Sequence, residues 1–159
     1  MTDWRALPLP EFCHIPGETV SADMEPLAMA CRMAAAETLD SNAEGNYAWR
    51  YGLRLFNHGF FWEAHEVLET VWLNAVPNCC ERHLVQAVIH LANAALKRRM
   101  NRHNAVDRLL ALGSESLERA FPGDSAALMG IQLENIRSVA RALENGETYK
   151  SLEVQFTSG

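Results

Sequence analysis

Apolar residues recur every three to four positions over most of the chain, and no stretch shows the strict alternation of a half-buried strand. In a helix turning by about 100° per residue, Ala64, Val67, Leu68, Val71 and Ala75 share one side, and Glu63, Glu66 and Thr70 share the other. The spacing therefore predicts a helix over 60–75, stopping before Pro77. His65, Glu69 and Trp72 run along one border of its apolar stripe, where side chains are usually half buried.

The same reading places helices along the rest of the chain. One runs to residue 39, with Ser21 or Asp23 as its cap and Pro26 in its first turn, and is broken by the polar run at 40–45. A second covers 47–56, capped by Asn46 and stopped at Asn57-His58-Gly59. A long helix at 81–100 turns Val85, Val88, Ile89, Ala92, Ala95 and Leu96 inward. Another, at 105–120, lines up Val106, Leu109, Leu110, Gly113 and Leu117, with Gly113 allowing close helix contact. After the turn Phe121-Pro122-Gly123-Asp124, whose Asp124 is read as a cap, the last helix covers 125–144 and closes at Asn145-Gly146.

Pro8, Pro10 and Pro16 make the first twenty residues irregular. Trp4, Leu7, Leu9, Phe12 and Ile15 are too apolar for a free tail, so this arm should lie across the helices. The expected fold is all-α: a helical bundle or irregular array of five to six helices with an extended N-terminal arm. The expected organisation is an arm at 1–20, one helical domain at 21–146 and a tail at 147–159 with frayed final residues.

A second polar stripe crosses the helix at 81–100, where Gln86, His90, Asn93 and Lys97 stand at i, i+4, i+7 and i+11. Antiparallel packing on the preceding helix would bring His65 and Glu69 opposite Gln86, His90 and Asn93. Two chemistries fit that meeting. An imidazole and a carboxylate one turn apart can share a divalent cation such as zinc or manganese at about 2.0 to 2.2 Å, with His90 as third ligand and Asn93 as a weaker oxygen donor. Alternatively Glu69 orients His65 as a general base. The plainer reading is that Glu69 accepts a hydrogen bond from His65 to satisfy two half-buried groups beside Trp72.

Composition narrows the partners. The chain has 159 residues, 48% hydrophobic and 21% charged, which suits one soluble domain with a sizeable core. Its formal net charge of -6 argues against broad attraction to nucleic acid or to an anionic membrane. The first residues lack a basic run before an apolar stretch, and no apolar window spans a bilayer, so the expectation is a cytoplasmic protein. Its four cysteines read as reduced thiols, and the adjacent Cys79-Cys80 pair, even with His83 nearby, is poorly spaced to chelate one ion. Lys97-Arg98-Arg99 with Arg102 suits a helix C-terminus, worth about 0.3 to 1 kcal/mol per charge, and reads as a solvated face apart from Lys97. His14, His58, His83 and His103 read as loop or surface residues.

The run Phe56-Asn57-x-Gly59-x-Phe61-x-Glu63-Ala64-His65-Glu66-x-x-Glu69-x-x-Trp72 resembles the bacterial and archaeal family catalogued as domain of unknown function 309. That family's hallmark is His, three residues, Glu, two residues, then Trp or Tyr, met here by His65, Glu69 and Trp72. The similarity continues through 84–92, with Ala87 where glycine is common and His90 where glutamine is common, and extends over roughly residues 47 to 112. The resemblance implies a small helical protein and a metal-binding role for the hallmark residues, but it carries no reaction.

The function expected from these residues is a polar inter-helix site performing metal-assisted hydrolysis or binding a small polar or anionic molecule. His65 and Glu69 would act as ligands or as an acid–base pair. Gln86, His90, Asn93 and Trp72 would line the site, and Lys97 would neutralise an anion. The alternative is a non-catalytic interaction module or homo-oligomer in which the His/Glu/Trp patch is structural and the apolar arm meets a partner.

Overall fold

A computed structural model describes residues 3–19, 24–148 and 151–156. The described chain forms six α-helices: α1 (Glu25–Arg32), α2 (Tyr47–Asn57), α3 (Phe61–Leu73), α4 (Cys80–Arg99), α5 (His103–Ala120) and α6 (Leu133–Asn145). Short 3-10 turns lie at Trp4–Ala6 and Asp40–Gly45, and one small hairpin pairs β1 (Ala127–Leu128) with β2 (Ile131–Gln132). The architecture is therefore all-α apart from that hairpin. No described helix is long and apolar enough to cross a membrane.

The apolar stripes account for the packing. α4 lies between α3 and α5, and α2 lies against the other side of α3. Val67, Leu68 and Val71 of α3 and Leu84, Val88 and Leu91 of α4 are almost fully buried in one core with Trp49, Tyr51 and Phe56 of α2. Asn46 caps α2 as read, its Oδ1 accepting from the Trp49 amide at 3.4 Å. Cys79, read as a reduced thiol, caps α4 through its sulfur, which accepts from the Arg82 backbone amide at 3.4 Å. All four cysteines are free.

Three readings change on contact with the structure. α1 stops at Arg32 rather than running to 39, because tertiary hydrogen bonds claim the next backbone groups. The Thr38 backbone amide donates to Asn74 O at 3.0 Å, the Thr38 hydroxyl donates to Val71 O at 2.7 Å, and the Asn74 side-chain Nδ2 donates to Ala35 O at 3.0 Å. Met24 stands at the cap of α1 without a side-chain bond, while Ser21 and Asp23 lie outside the described residues. α6 starts at Leu133 rather than 125, because the intervening residues form the hairpin and Asp124 caps nothing. Its turn carries Met129 at φ 50° and Gly130 at φ 79°, the two positive angles a tight hairpin needs. A methionine is unusual there, and it is held by its amide on Asp40 Oδ1 at 2.5 Å and by the Trp49 indole N–H on its carbonyl at 3.1 Å.

The tail also differs from the frayed end expected, although residues 157–159 lie outside the described ones. Leu152 is buried and exchanges two hydrogen bonds with the Asn57 side chain, at 2.8 and 3.0 Å, and Val154 bridges Ile131. At the other end the arm lies across α2 and α3. The Tyr51 hydroxyl donates to Pro8 O at 2.6 Å and Arg54 donates to Leu7 O at 2.7 Å. Glu63, placed by the helical pattern on the polar side of α3, is only 2% exposed because the arm covers it, and its Oε2 accepts from the His14 amide at 3.0 Å.

Two helical glycines separate close contact from spare room. A Cβ on Gly52 would lie 2.6 and 2.9 Å from Leu68 Cδ2 and Cγ, so the α2–α3 approach leaves no space for a methyl group. A Cβ on Gly113 would meet His90 Cβ at 3.5 Å and Leu91 Cδ2 at 3.7 Å, an ordinary contact. Gly52→Ala should lower unfolding free energy by about 1 to 3 kcal/mol through overpacking. Gly113→Ala should be neutral or stabilising by up to about 1 kcal/mol, from helix propensity. Urea unfolding of both variants checks this, and equal effects at the two sites would refute the distinction.

Candidate functional site

A cleft of about 580 Å³ opens along the seam between the first half of α4 and the second half of α5. Arg82, Gln86 and His90 enter it from successive turns of α4, since residues four apart share a helix face. Glu115, Ser116 and Arg119 enter from α5, and Trp72 at the end of α3 closes one side with Pro77 and Asn78. Asn78 turns the chain into α4 with φ at 67°.

The cationic groups are held in place from behind. The Arg82 guanidinium lies over the Trp72 ring, 3.9 Å from its centroid, and donates to Ala75 O at 3.3 Å. Among the described residues neither Arg82 nor Arg119 has a carboxylate within ion-pair distance, although Glu115 shares the cleft. Burial, then the charges of Arg119 and Arg82, holds the His83 pKa below its ordinary 6.5. Burial alone does the same for His90.

His90 and Gln86 form a polar pair across one helical turn, their Nε2 atoms 3.2 Å apart. With the Gln86 amide donating, the neutral imidazole accepts at Nε2 and carries its proton on Nδ1. That Nδ1 is buried without a hydrogen-bond partner among the described residues. Leaving such a group unsatisfied costs about 1 to 3 kcal/mol.

The structure gathers only part of the set read from the sequence. Trp72, Gln86 and His90 line the cleft, whereas His65, Glu69, Asn93 and Lys97 do not. His65 and Glu69 are not paired: His65 Nδ1 lies 3.7 Å from Glu66 Oε1, and among the described residues no hydrogen bond or ion pair joins it to Glu69, which is exposed. Asn93 and Lys97 are half buried further along α4. Among the described residues no three His, Cys, Asp or Glu side chains come together to hold a metal ion. Of the basic run after Lys97, Arg99 and Arg102 are exposed as read, while Arg98 is half buried. Arg98 donates to Leu143 O, and Arg99 donates to Gly59 O at 2.5 Å while its guanidinium lies over Phe61.

Arg82, His83, Ser116 and Arg119 were not singled out by the pattern. The signal for Arg82 was present, because it continues the Gln86–His90 line one turn back. Ser116 and Arg119 could not be placed without knowing which face of α5 meets α4.

Residues 49–109 match the family model described as a domain of unknown function, DUF309. No curated protein and no solved structure matches the chain. The matched segment contains Trp72, Arg82, Gln86 and His90, and it ends before the α5 residues that complete the cleft.

The two histidines give the fold a pH signature. As pH falls below about 6.5 the unfolded chain takes up protons that half-buried His83 and His90 resist, so stability is complete above that value and is lost as pH falls through the depressed folded values. His90→Gln should flatten part of that loss. Denaturant unfolding at about pH 7.5 and about pH 5.5 measures it, and an unchanged gap between the two would refute the role of His90.

Proposed function

We propose that this member of the DUF309 family is a binding protein for a small anionic molecule, taken up in the cleft between α4 and α5. The observation that carries the reading is the placement of Arg82 and Arg119 in one cleft with no carboxylate paired to either among the described residues. A guanidinium presents a planar fork of donors that matches a carboxylate or phosphate, and Arg82 is already oriented by Trp72. Such orientation reduces the entropy lost on binding.

The remaining lining supports the same ligand chemistry. The Gln86 amide and Ser116 hydroxyl can orient polar groups, and the neutral imidazole of His90 can exchange a hydrogen bond without adding charge. Glu115 favours a ligand that also carries a hydroxyl or amine. The cleft volume falls within the range of about 300 to 1,000 Å³ usual for small-molecule sites.

Calorimetric titration with citrate and with inorganic phosphate at low ionic strength tests the reading. At least one should bind the wild-type protein, and Arg82→Gln/Arg119→Gln should weaken it by at least about tenfold, the loss of about 1.4 kcal/mol expected from even one charge-assisted hydrogen bond. Added salt should weaken it as well. His65→Ala/Glu69→Ala, outside the cleft, should bind as the wild type does. Failure of both anions to bind, or their undiminished binding by the arginine double variant, would overturn the reading. Loss of binding in the His65/Glu69 variant alone would move the site to α3.

A further inference from the structure

A second cleft, of about 470 Å³, lies where the arm, α2 and the tail meet, and it shares no lining residue with the first. Arg5, Arg50, Arg54 and His58 line it, and it has no acidic side chain in its wall. In a chain of net charge -6, three guanidiniums around an acid-free hollow are an unusual concentration of one sign.

Two of the three arginines are fixed without a carboxylate. Arg50 lies between two rings, 4.7 Å from the Trp4 centroid and 5.2 Å from that of Phe156, and its Nη1 donates to Glu44 O at 3.0 Å. Arg54, one turn on, donates to Leu7 O at 2.7 Å and to Arg5 O at 3.4 Å. Arg5 has an exposed ion pair with Asp3 at 3.2 Å and stacks on Trp4 at 4.6 Å. Burial, and next the charge of Arg5, lowers the Arg50 pKa from its ordinary value, as expected where like charges are crowded away from water.

The rest of the wall is mostly apolar, from Trp4, Leu53, Leu152 and Val154, and its one other polar side chain, Asn57, is already hydrogen-bonded to the Leu152 backbone. Cations and apolar side chains in one wall define the occupant by chemistry. We propose that this cleft is a binding site for an amphipathic carboxylate: an anionic head group held by Arg50 and Arg54, with an apolar body against Val154 and its neighbours. Arginine suits the head because its fork accepts a carboxylate bidentately, and the apolar wall gains from covering a chain or ring. A bare phosphate would leave that wall wet. A bound molecule would touch the arm, α2 and the tail together, so it should also tighten both ends of the chain onto the helices.

Octanoate, 1-octanol and inorganic phosphate separate the two parts of this recognition. By titration calorimetry on the full chain, octanoate should bind with one-to-one stoichiometry and at least about tenfold more tightly than either of the others. Val154→Glu puts a carboxylate into the wall while leaving the hydrogen bonds of Arg50 and Arg54 untouched, and it should reduce octanoate affinity by at least about tenfold. Arg50→Gln/Arg54→Gln should do the same, with circular dichroism and melting confirming that each variant is folded. Arg82→Gln/Arg119→Gln should bind octanoate normally, which keeps this site distinct from the first. No octanoate binding, equal binding of octanol or phosphate, or full affinity in Val154→Glu would overturn the proposal.

Discussion

The structure depends on the burial of α4 between two neighbours. Ten of its twenty residues are buried, from Leu84 to Leu96, more than a helix with one wet face would hide. Each Val, Leu or Ile so removed from water contributes roughly 1.5 to 3 kcal/mol, which fixes α3 and α5 on either side. Polar residues on such a helix can emerge only along a seam. That constraint places Arg82, Gln86 and His90 at the mouth of the α4–α5 cleft, and it explains why the two histidines beside it resist protonation.

The ends of the chain complete what the helices leave open. The arm covers α2 and the start of α3, and the tail joins the hairpin and α2 through Asn57, Leu152 and Val154. The hairpin is itself fixed to the helices, since the Trp49 indole and Asp40 hold both backbone groups of Met129. The second cleft lies at the meeting of these segments. Arg50 and Arg54 are held through backbone carbonyls and aromatic rings, so their positive charge remains available to an incoming anion.

Much of this was legible in the sequence. Periodicity located all six helices, and Asn46 was recognisable as a cap because its side chain does the same job wherever a helix begins. The failures share a cause. α1 ends early because Asn74 captures backbone groups of Ala35 and Thr38 while Val71 takes the Thr38 hydroxyl, and the hairpin forms because distant Asp40 and Trp49 hold a methionine at positive φ. Contacts of that range leave no local trace. The site was legible along α4 and at Trp72: the spacing of Gln86 and His90 was informative, but the facing partner is α5 rather than the His65–Glu69 side of α3, and a helical pattern does not say which neighbour a stripe will meet.

The buried carboxylate of Glu63 bears on where this protein can be cut. Its Oε2 has one hydrogen-bond donor, the amide of His14, and its Oε1 has no partner among the described residues. The segment that matches the family begins at residue 49, so it contains the carboxylate but not the amide that satisfies it. A fragment trimmed to that boundary would uncover this carboxylate and the α2 and α3 surfaces beneath the arm, and would lose the carbonyls of Leu7 and Pro8 that engage Arg54 and Tyr51. The smallest autonomous piece of this molecule is therefore larger than its recognisable part, and it must begin before the proline-rich strap.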